Sequence, residues 1–222
     1  GVIDATTIAL GNLTSTNTRH IVVSDDFGSV GVVWIPNDGS GNYGTPKTFA
    51  AGGLASEARL VLAAVNGDGL DDLITADGDG TVSVLLNRGN GKLQSISSAP
   101  VGGEVTGLIS ADFNGDGLTD LATINAGTYH QGNTVSILLN NGSGTFNNVS
   151  TYPVGNDPTA IVAGDFNGDG KMDLAVTNYL DDTVSILINQ GQGKFAAAAT
   201  YSAGKGPYSI AVADLNGGGR PD

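Results

Sequence analysis

The sequence predicts an all-β chain, a β-propeller-type array of four-stranded blades with about four units and the start of a fifth. Three observations predict it. An Asp-rich loop motif recurs with a period near fifty residues. A β-branched strand motif and a glycine turn recur in step with it. No segment sustains a helical period.

The loop motif begins at 11, 64, 112, 165 and 214, with spacings of 53, 48, 53 and 49. It divides a single propeller domain or propeller fragment, 1–222, into approximate units 1–53, 54–102, 103–155, 156–204 and a partial 205–222. Within a unit, strand A precedes the loop, as in Thr159-Ala-Ile-Val-Ala-Gly164. Strand B follows it, as in Leu174-Ala-Val-Thr177. Strand C is the run Val82-Ser-Val-Leu-Leu-Asn87, with counterparts at Val135–Asn140 and Val184–Asn189. Its β-branched content and alternation are those of a strand. A Gly-x-Gly turn comes next, at Gly89, Gly142 and Gly191, and strand D leads out, as in Phe195 to Tyr201. A β-helix would need a shorter period, and a sandwich would not need an in-register repeat.

Composition agrees. The 222 residues are 40% hydrophobic and 14% charged, so a packed core is expected rather than disorder. Glycine is abundant at 35 residues without a collagen period, which suits many tight turns. The net charge of −13 leaves no basic stripe for phosphates, so nucleic acid is not an expected partner. Apolar runs are too short to cross a bilayer, so membrane insertion is not expected either. The absence of cysteine excludes disulfides and thiolate metal sites. Residues 1–10 lack the basic start and apolar stretch of an export leader.

The acids are concentrated where a cation would use them. In the pattern Asp-x-Asn-x-Asp-Gly-x-x-Asp, side chains at positions 1, 3, 5 and 9 and the carbonyl of position 7 offer oxygen. A hard cation such as Ca²⁺ takes six to eight oxygens at about 2.3–2.6 Å. Glycine at position 6 permits the reversal that makes the ligands converge. Two loops are complete: Asp112, Asn114, Asp116, Leu118 and Asp120; and Asp165, Asn167, Asp169, Lys171 and Asp173. Two are weaker. Ala64 replaces the first acid ahead of Asn66, Asp68, Leu70 and Asp72, and Gly218 replaces the central acid among Asp214, Asn216, Arg220 and Asp222. The expected occupancy is two complete sites, one or two weak ones and none in the first unit. An EF-hand would need Glu at position 12 and flanking helices; Thr123 and Val176 stand there instead, in strand-like runs. Turn chemistry alone would also favour Asn-Gly-Asp-Gly, but its recurrence with the full ligand spacing favours metal.

At these residues the chain resembles the FG-GAP/VCBS repeat family, which includes the calcium-binding blades of integrin α-subunit propellers and many bacterial secreted proteins. Gly142-Ser-Gly-Thr-Phe146 and Gly191-Gln-Gly-Lys-Phe195 add to the resemblance. It implies a propeller, seven-bladed by family analogy, with Ca²⁺ in the A–B loops. It also implies an extracellular or cell-surface setting and a role in adhesion, carbohydrate recognition or as a non-catalytic part of a larger protein. A ring left open would invite chain-chain association through its edges.

Blade geometry puts A–B and C–D turns at one end and B–C and D–A turns at the other. The second end carries the variable segments, Asp25 to Gly28, Asp77 to Asp79, Ala126 to Gln131 and Tyr179 to Asp182. Recognition commonly resides in such loops, so Tyr129, His130, Tyr179, Asp181 and Asp182 form the candidate ligand face for a protein or glycan. Phe49, Tyr152 and Tyr201 recur near strand D, as sugar platforms of a propeller lectin or as inter-blade core. His20 and Trp34 are expected to be structural. Of the 22 acids, those outside the Asp loops are scattered, and no spacing marks a catalytic pair. Neither histidine sits in a nucleophile motif, so no enzyme is expected. The alternatives are a propeller lectin and a non-catalytic propeller within a larger secreted hydrolase or lyase.

Overall fold

A computed structural model describes residues 5–14, 18–25, 32–49, 59–76, 78–89 and 92–221. The chain divides into two compact units, Gly1–Pro100 with Asn141–Thr145 and Val101–Asn140 with Phe146–Asp222. Each unit holds two four-stranded antiparallel sheets. Among the described residues there is no α-helix, and none long and apolar enough to cross a membrane.

In the first unit one sheet runs β1 (Ala5–Gly11), β2 (His20–Asp25), β3 (Val32–Ile35), β4 (Lys47–Phe49) in sequence order. The other runs β5 (Arg59–Ala63), β6 (Asp72–Ala76), β7 (Thr81–Asn87), β8 (Leu93–Pro100). In the second unit β9 (Val105–Ala111), β10 (Asp120–Asn125), β11 (Thr134–Asn140) and β12 (Phe146–Pro153) form one meander. The other is built from β13 (Pro158–Gly164), β14 (Asp173–Asn178) and β15 (Thr183–Leu187). A small hairpin of β16 (Asn189–Gly191) and β17 (Lys194–Phe195) intervenes before β18 (Ala199–Ser202) completes that sheet. Three of the meanders pair only chain neighbours, which keeps every connection short, and in the fourth β15 pairs with β18 across the inserted hairpin.

Burial follows strand position. The B strands β6, β10 and β14 are buried at every residue, as expected of strands covered on both faces. Their small and β-branched side chains allow that coverage. The A strands β9 and β13 are buried at intervals, with Val105 and Leu108, or Pro158 and Ile161, turned inward.

The core of the second unit gathers Phe113, Ile124, Val135, Ile137, Ile161, Leu174, Val176, Leu187 and Phe195. Removing that apolar area from water drives the packing. Phe195 sits edge-on to both Phe113 and Tyr152, with centroids 6.0 and 5.6 Å away. The core of the first unit gathers Leu13, Val22, Val32, Trp34, Leu60, Leu73 and Leu85. His20 is buried against Trp34, edge-on at 5.3 Å. Its Nδ1 accepts from Asn37 N–H at 2.9 Å, so Nε2 carries the proton and donates to Thr14 Oγ1 at 3.0 Å. Burial holds the His20 pKa below the ordinary histidine value. Both residues are structural.

Candidate functional site

The Asp loops join A strands to B strands in a fixed register. Ala63 pairs with Asp72, Ala111 with Asp120 and Gly164 with Asp173. Two glycines shape each loop. At position 4, Gly67, Gly115, Gly168 and Gly217 have φ of 75°, 82°, 79° and 72°. At position 6, Gly69, Gly117, Gly170 and Gly219 have 83°, 82°, 83° and 79°. Left-handed backbone is readily available only to glycine. Sequence reasoning identified the second glycine and missed the first, whose recurrence at 67, 115, 168 and 217 was the signal.

In the loop after β9, Asp112 accepts from Gly115 N–H at 2.7 Å and from Gly117 N–H at 2.9 Å. Asn114 Oδ1 accepts from Asp116 N–H at 2.7 Å, and Asn114 Nδ2 donates to Asp116 Oδ2 at 2.9 Å. Asp116 Oδ1 accepts from Leu118 N–H. The loop after β13 repeats the backbone N–H bonds with Asp165, Asn167 and Asp169. Lys171 adds its ammonium, 2.8 Å from Asp169 Oδ2, and that contact leads the causes holding Asp169 below the usual carboxylate range. In the weaker loop after β5, Asn66 and Asp68 pair in the same way and Leu70 N–H donates to Asp68. In the last loop, Asp214 accepts from Gly218 and Gly219, Asn216 accepts from Gly218, and the Arg220 guanidinium lies against Gly168. Asp222 lies outside the described residues.

The position-9 acids differ from the rest. Asp72, Asp120 and Asp173 are fully buried. Each spreads its two oxygens between two backbone donors. Asp120 accepts from Phe113 N–H at 3.0 Å and Asn140 N–H at 2.8 Å. Asp173 accepts from Phe166 at 3.0 Å and Asn189 at 2.8 Å, and Asp72 from Val65 at 3.0 Å and Asn87 at 2.8 Å. Burial, outweighing those hydrogen bonds, raises the pKa of Asp72 and Asp120 above the ordinary aspartate value. The asparagine at the end of the C-strand run completes the arrangement in two blades. Asn189 Nδ2 donates to Met172 O at 3.0 Å and to Phe113 O, one blade back, at 2.9 Å. Asn87 Nδ2 does the same with Asp71 O and Leu13 O, at 3.0 and 3.1 Å. In the sequence these asparagines are marked only as strand ends.

Every donor of the loops is a carboxylate, amide or carbonyl oxygen, the set a hard cation takes. An ionised carboxylate has about four acceptor sites, so the two N–H bonds at each position-9 acid leave others open. Among the described residues, no three His, Asp or Glu side chains stand together at metal-holding spacing. The loop acids are instead turned toward backbone N–H groups.

At the other end of the second-unit sheets lie the residues of the candidate ligand face. Tyr129 and His130 occupy a 3₁₀ turn, Thr128–His130, and both have left-handed φ. Tyr129 is 84% exposed. His130 Nδ1 lies 3.0 Å from Oδ1 of the buried Asp157, and Asp157 O accepts from Tyr179 N–H at 2.9 Å. Asp181 accepts from both the backbone and side-chain N–H of Asn156, which hold its pKa below the usual range. Asp182 accepts from Gly206 N–H, and Tyr179 packs edge-on against Tyr208 at 6.4 Å. Sequence reasoning missed Asp157 and Tyr208. Beside these loops a shallow cavity of about 620 Å³ is lined by Gly155, Asp181, Thr183, Ser185, Ala198 and Thr200. In the first unit, residues 26–28 and Asp77 of the variable segments lie outside the described residues. Of the strand-D aromatics, Tyr152 is inter-blade core, bonded through its hydroxyl to Gly193 O and Phe195 N–H, whereas Tyr201 is 60% exposed. The side chain of Phe49 lies outside the described residues.

A family model described as FG-GAP-like repeat matches residues 65–123, 112–176 and 165–222. No curated protein matches the chain. Solved structures that share its fold include the following three. An Agrocybe aegerita lectin that specifically recognises non-reducing terminal N-acetylglucosamine is 24% identical with a TM-score of 0.59, over 86% of this chain and 50% of that one. Saccharomyces cerevisiae Sqt1 is 15% identical with a TM-score of 0.56, over 87% and 48%. BBS1N, in complex with ARL6DN, is 13% identical with a TM-score of 0.55, over 90% and 56%. The chain thus spans about half the length of the structures it resembles.

Proposed function

The chain belongs to the FG-GAP-like repeat family, and from that premise we propose that it is a non-catalytic, extracellular recognition module that binds a protein or glycan at the loop end carrying Tyr129, Tyr179 and Tyr208. The observation that carries this reading is how that end is built. Four loops of the second unit are tied together by His130–Asp157, Asp157–Tyr179, Asn156–Asp181 and Gly206–Asp182 hydrogen bonds, while Tyr129 and Tyr208 remain 84% and 71% exposed. Exposed aromatics on a fixed backbone bind at low entropic cost and are favoured at interfaces. A lectin and an ARL6-bound protein of the same fold set the two ligand classes to test. A glycan array with the wild type, Tyr179→Ala and Tyr208→Ala is the first experiment. A glycan signal lost in both variants supports the glycan form, and no signal directs the search to a protein partner. A signal untouched by either variant sinks the assignment of this face.

In the same reading, Ca²⁺ is structural and sits in the Asp loops, with Asp112–Asp120 and Asp165–Asp173 as the stronger sites. The all-oxygen donor set and the left-handed glycine pair of each loop support it. Calorimetric titration should find at least two sites, one lost in Asp112→Ala and one in Asp165→Ala. Fewer than two in the wild type overturns it. We further propose that the blades belong to a larger propeller, seven-bladed by family analogy, a reading supported by the repeat of a blade's start in residues 205–221. Association between chains through open edges is the other way to complete it, and sedimentation of the full chain separates the two.

A further inference from the structure

Six Asn-Gly pairs occur in the sequence, at Asn66, Asn90, Asn114, Asn141, Asn167 and Asn216. Four of them, at Asn66, Asn114, Asn167 and Asn216, fill positions 3 and 4 of the Asp loops. An asparagine before glycine is chemically exposed, because a glycine nitrogen has no neighbouring side chain to hinder its attack on the asparagine Cγ. The loops after β5, β9 and β13 form a matched comparison. Their position-4 glycines have φ of 75°, 82° and 79°. Asn66, Asn114 and Asn167 each accept from the N–H two residues on, at 3.0, 2.7 and 2.8 Å. They differ at position 1. Asp112 and Asp165 hold the N–H of Gly115 and Gly168 at 2.7 Å. Such a bond fixes the peptide plane, and the adjacent negative charge opposes loss of the N–H proton. Ala64 offers Gly67 no carboxylate; Gly67 and Gly115 are alike exposed, with no atom within 4 Å of where a Cβ would stand, so the position-1 acid is what separates these two loops.

We propose that Asn66 is a site of spontaneous deamidation, the most reactive of these three loop asparagines, and that its conversion supplies the Asp loop after β5 with an added carboxylate. The Gly67 nitrogen gives up its proton and forms a bond to Asn66 Cγ. The bond from Cγ to the amide nitrogen breaks, and that nitrogen leaves as ammonia. Water then opens the five-membered imide at either carbonyl, giving aspartate or isoaspartate. The net change is uptake of one water and release of one ammonia, with no oxidant or cofactor. The aspartate product puts a negative charge beside Asp68 in a loop whose first acid is missing. Its value to a cation rests on the calcium reading above; the reaction itself does not.

The test is peptide mapping by mass spectrometry of the full chain, aged at mildly alkaline pH with a chelator present so that no cation enters the comparison. Asn66 is expected to convert about tenfold faster than Asn114 and Asn167, the scale of one charge-assisted hydrogen bond. Ala64→Asp should slow Asn66 to the rate of the other two, and Asp112→Ala should raise Asn114 to the rate of Asn66. Equal rates at the three positions in the wild type, or rates unmoved by both substitutions, overturn the proposal. A separate calcium titration of Asn66→Asp should show tighter uptake at that loop, and no gain there overturns the cation consequence alone.

Discussion

At the scale of single residues, the position-9 aspartate and the asparagine after strand C govern the loop end of the three blades that carry an Asp loop between paired strands. Asn189 is buried and satisfies Phe113 O, Met172 O and Gly191 N–H at once. Asn189→Ala leaves those groups without a partner and is expected to lower the unfolding free energy by about 1–3 kcal/mol. Gln190→Ala, exposed in the same turn, should be near neutral. Denaturant unfolding of the two variants checks this. The buried acids set a pH dependence. Burial raises Asp72 and Asp120 above 3.8, so the folded state binds protons more tightly than the unfolded chain there. Their contribution to stability is full below 3.8 and is lost as pH rises through the raised value. Unfolding curves taken in chelator from acid to neutral pH should show Asp120→Asn gaining on the wild type over that rise. A constant difference between them would contradict this. Asp169, Asp181 and Asp214 have lowered values and act in the opposite sense.

At the scale of elements, the strands were largely legible and the stitches between them were not. Val-Ser-Ile-Leu runs announce strand C through alternation and β-branching, and the structure places β7, β11 and β15 there. The β16–β17 hairpin went unread, because three residues and two residues are too short to carry a period. The candidate loops were legible as a ligand pattern, yet the engagement of Asp120 with Asn140 was not. It joins residues separated by 20 positions, and only the folded sheet brings them together. The His130–Asp157 contact, 27 positions apart, was hidden for the same reason. Loop shape depends on the glycines more than on the acids, since the loop with Gly218 at its centre keeps the same left-handed pair. Gly117→Ala and Gly170→Ala are each expected to cost about 1–2 kcal/mol. With no atom within 4 Å of either added methyl, the cost is conformational and not a clash. Thermal melts should then show similar losses in the two loops.

At the scale of the whole molecule, 22 acids face 9 basic residues, and much of the imbalance is confined to the Asp loops. A cation bound only by the folded chain would relieve that repulsion and add stability by mass action. At a hundredfold excess over its dissociation constant, each site contributes about 2.7 kcal/mol. Calcium is therefore expected to raise the melting temperature above its value in chelator, and the double variant Asp112→Ala/Asp165→Ala should lose most of that rise. Magnesium, which prefers a tight octahedron and keeps its water, should act more weakly. The lectin and the ARL6-bound structure share this fold at low identity, and fold alone does not choose between their ligands.

The asparagine stitches also give the chain a direction. Asn87 reaches 74 residues back to Leu13, and Asn189 reaches 76 back to Phe113. In both cases the donor is made after its acceptor. Within each unit, the later blade thus meets a carbonyl that is made before it, and this polar contact ties it to the earlier blade. Growth of this kind resembles bricklaying from one end, in which a course is fixed by the one beneath it. Loss of the first blade of a unit deprives the second of its anchor, whereas loss of the second leaves the first without any stitch to lose.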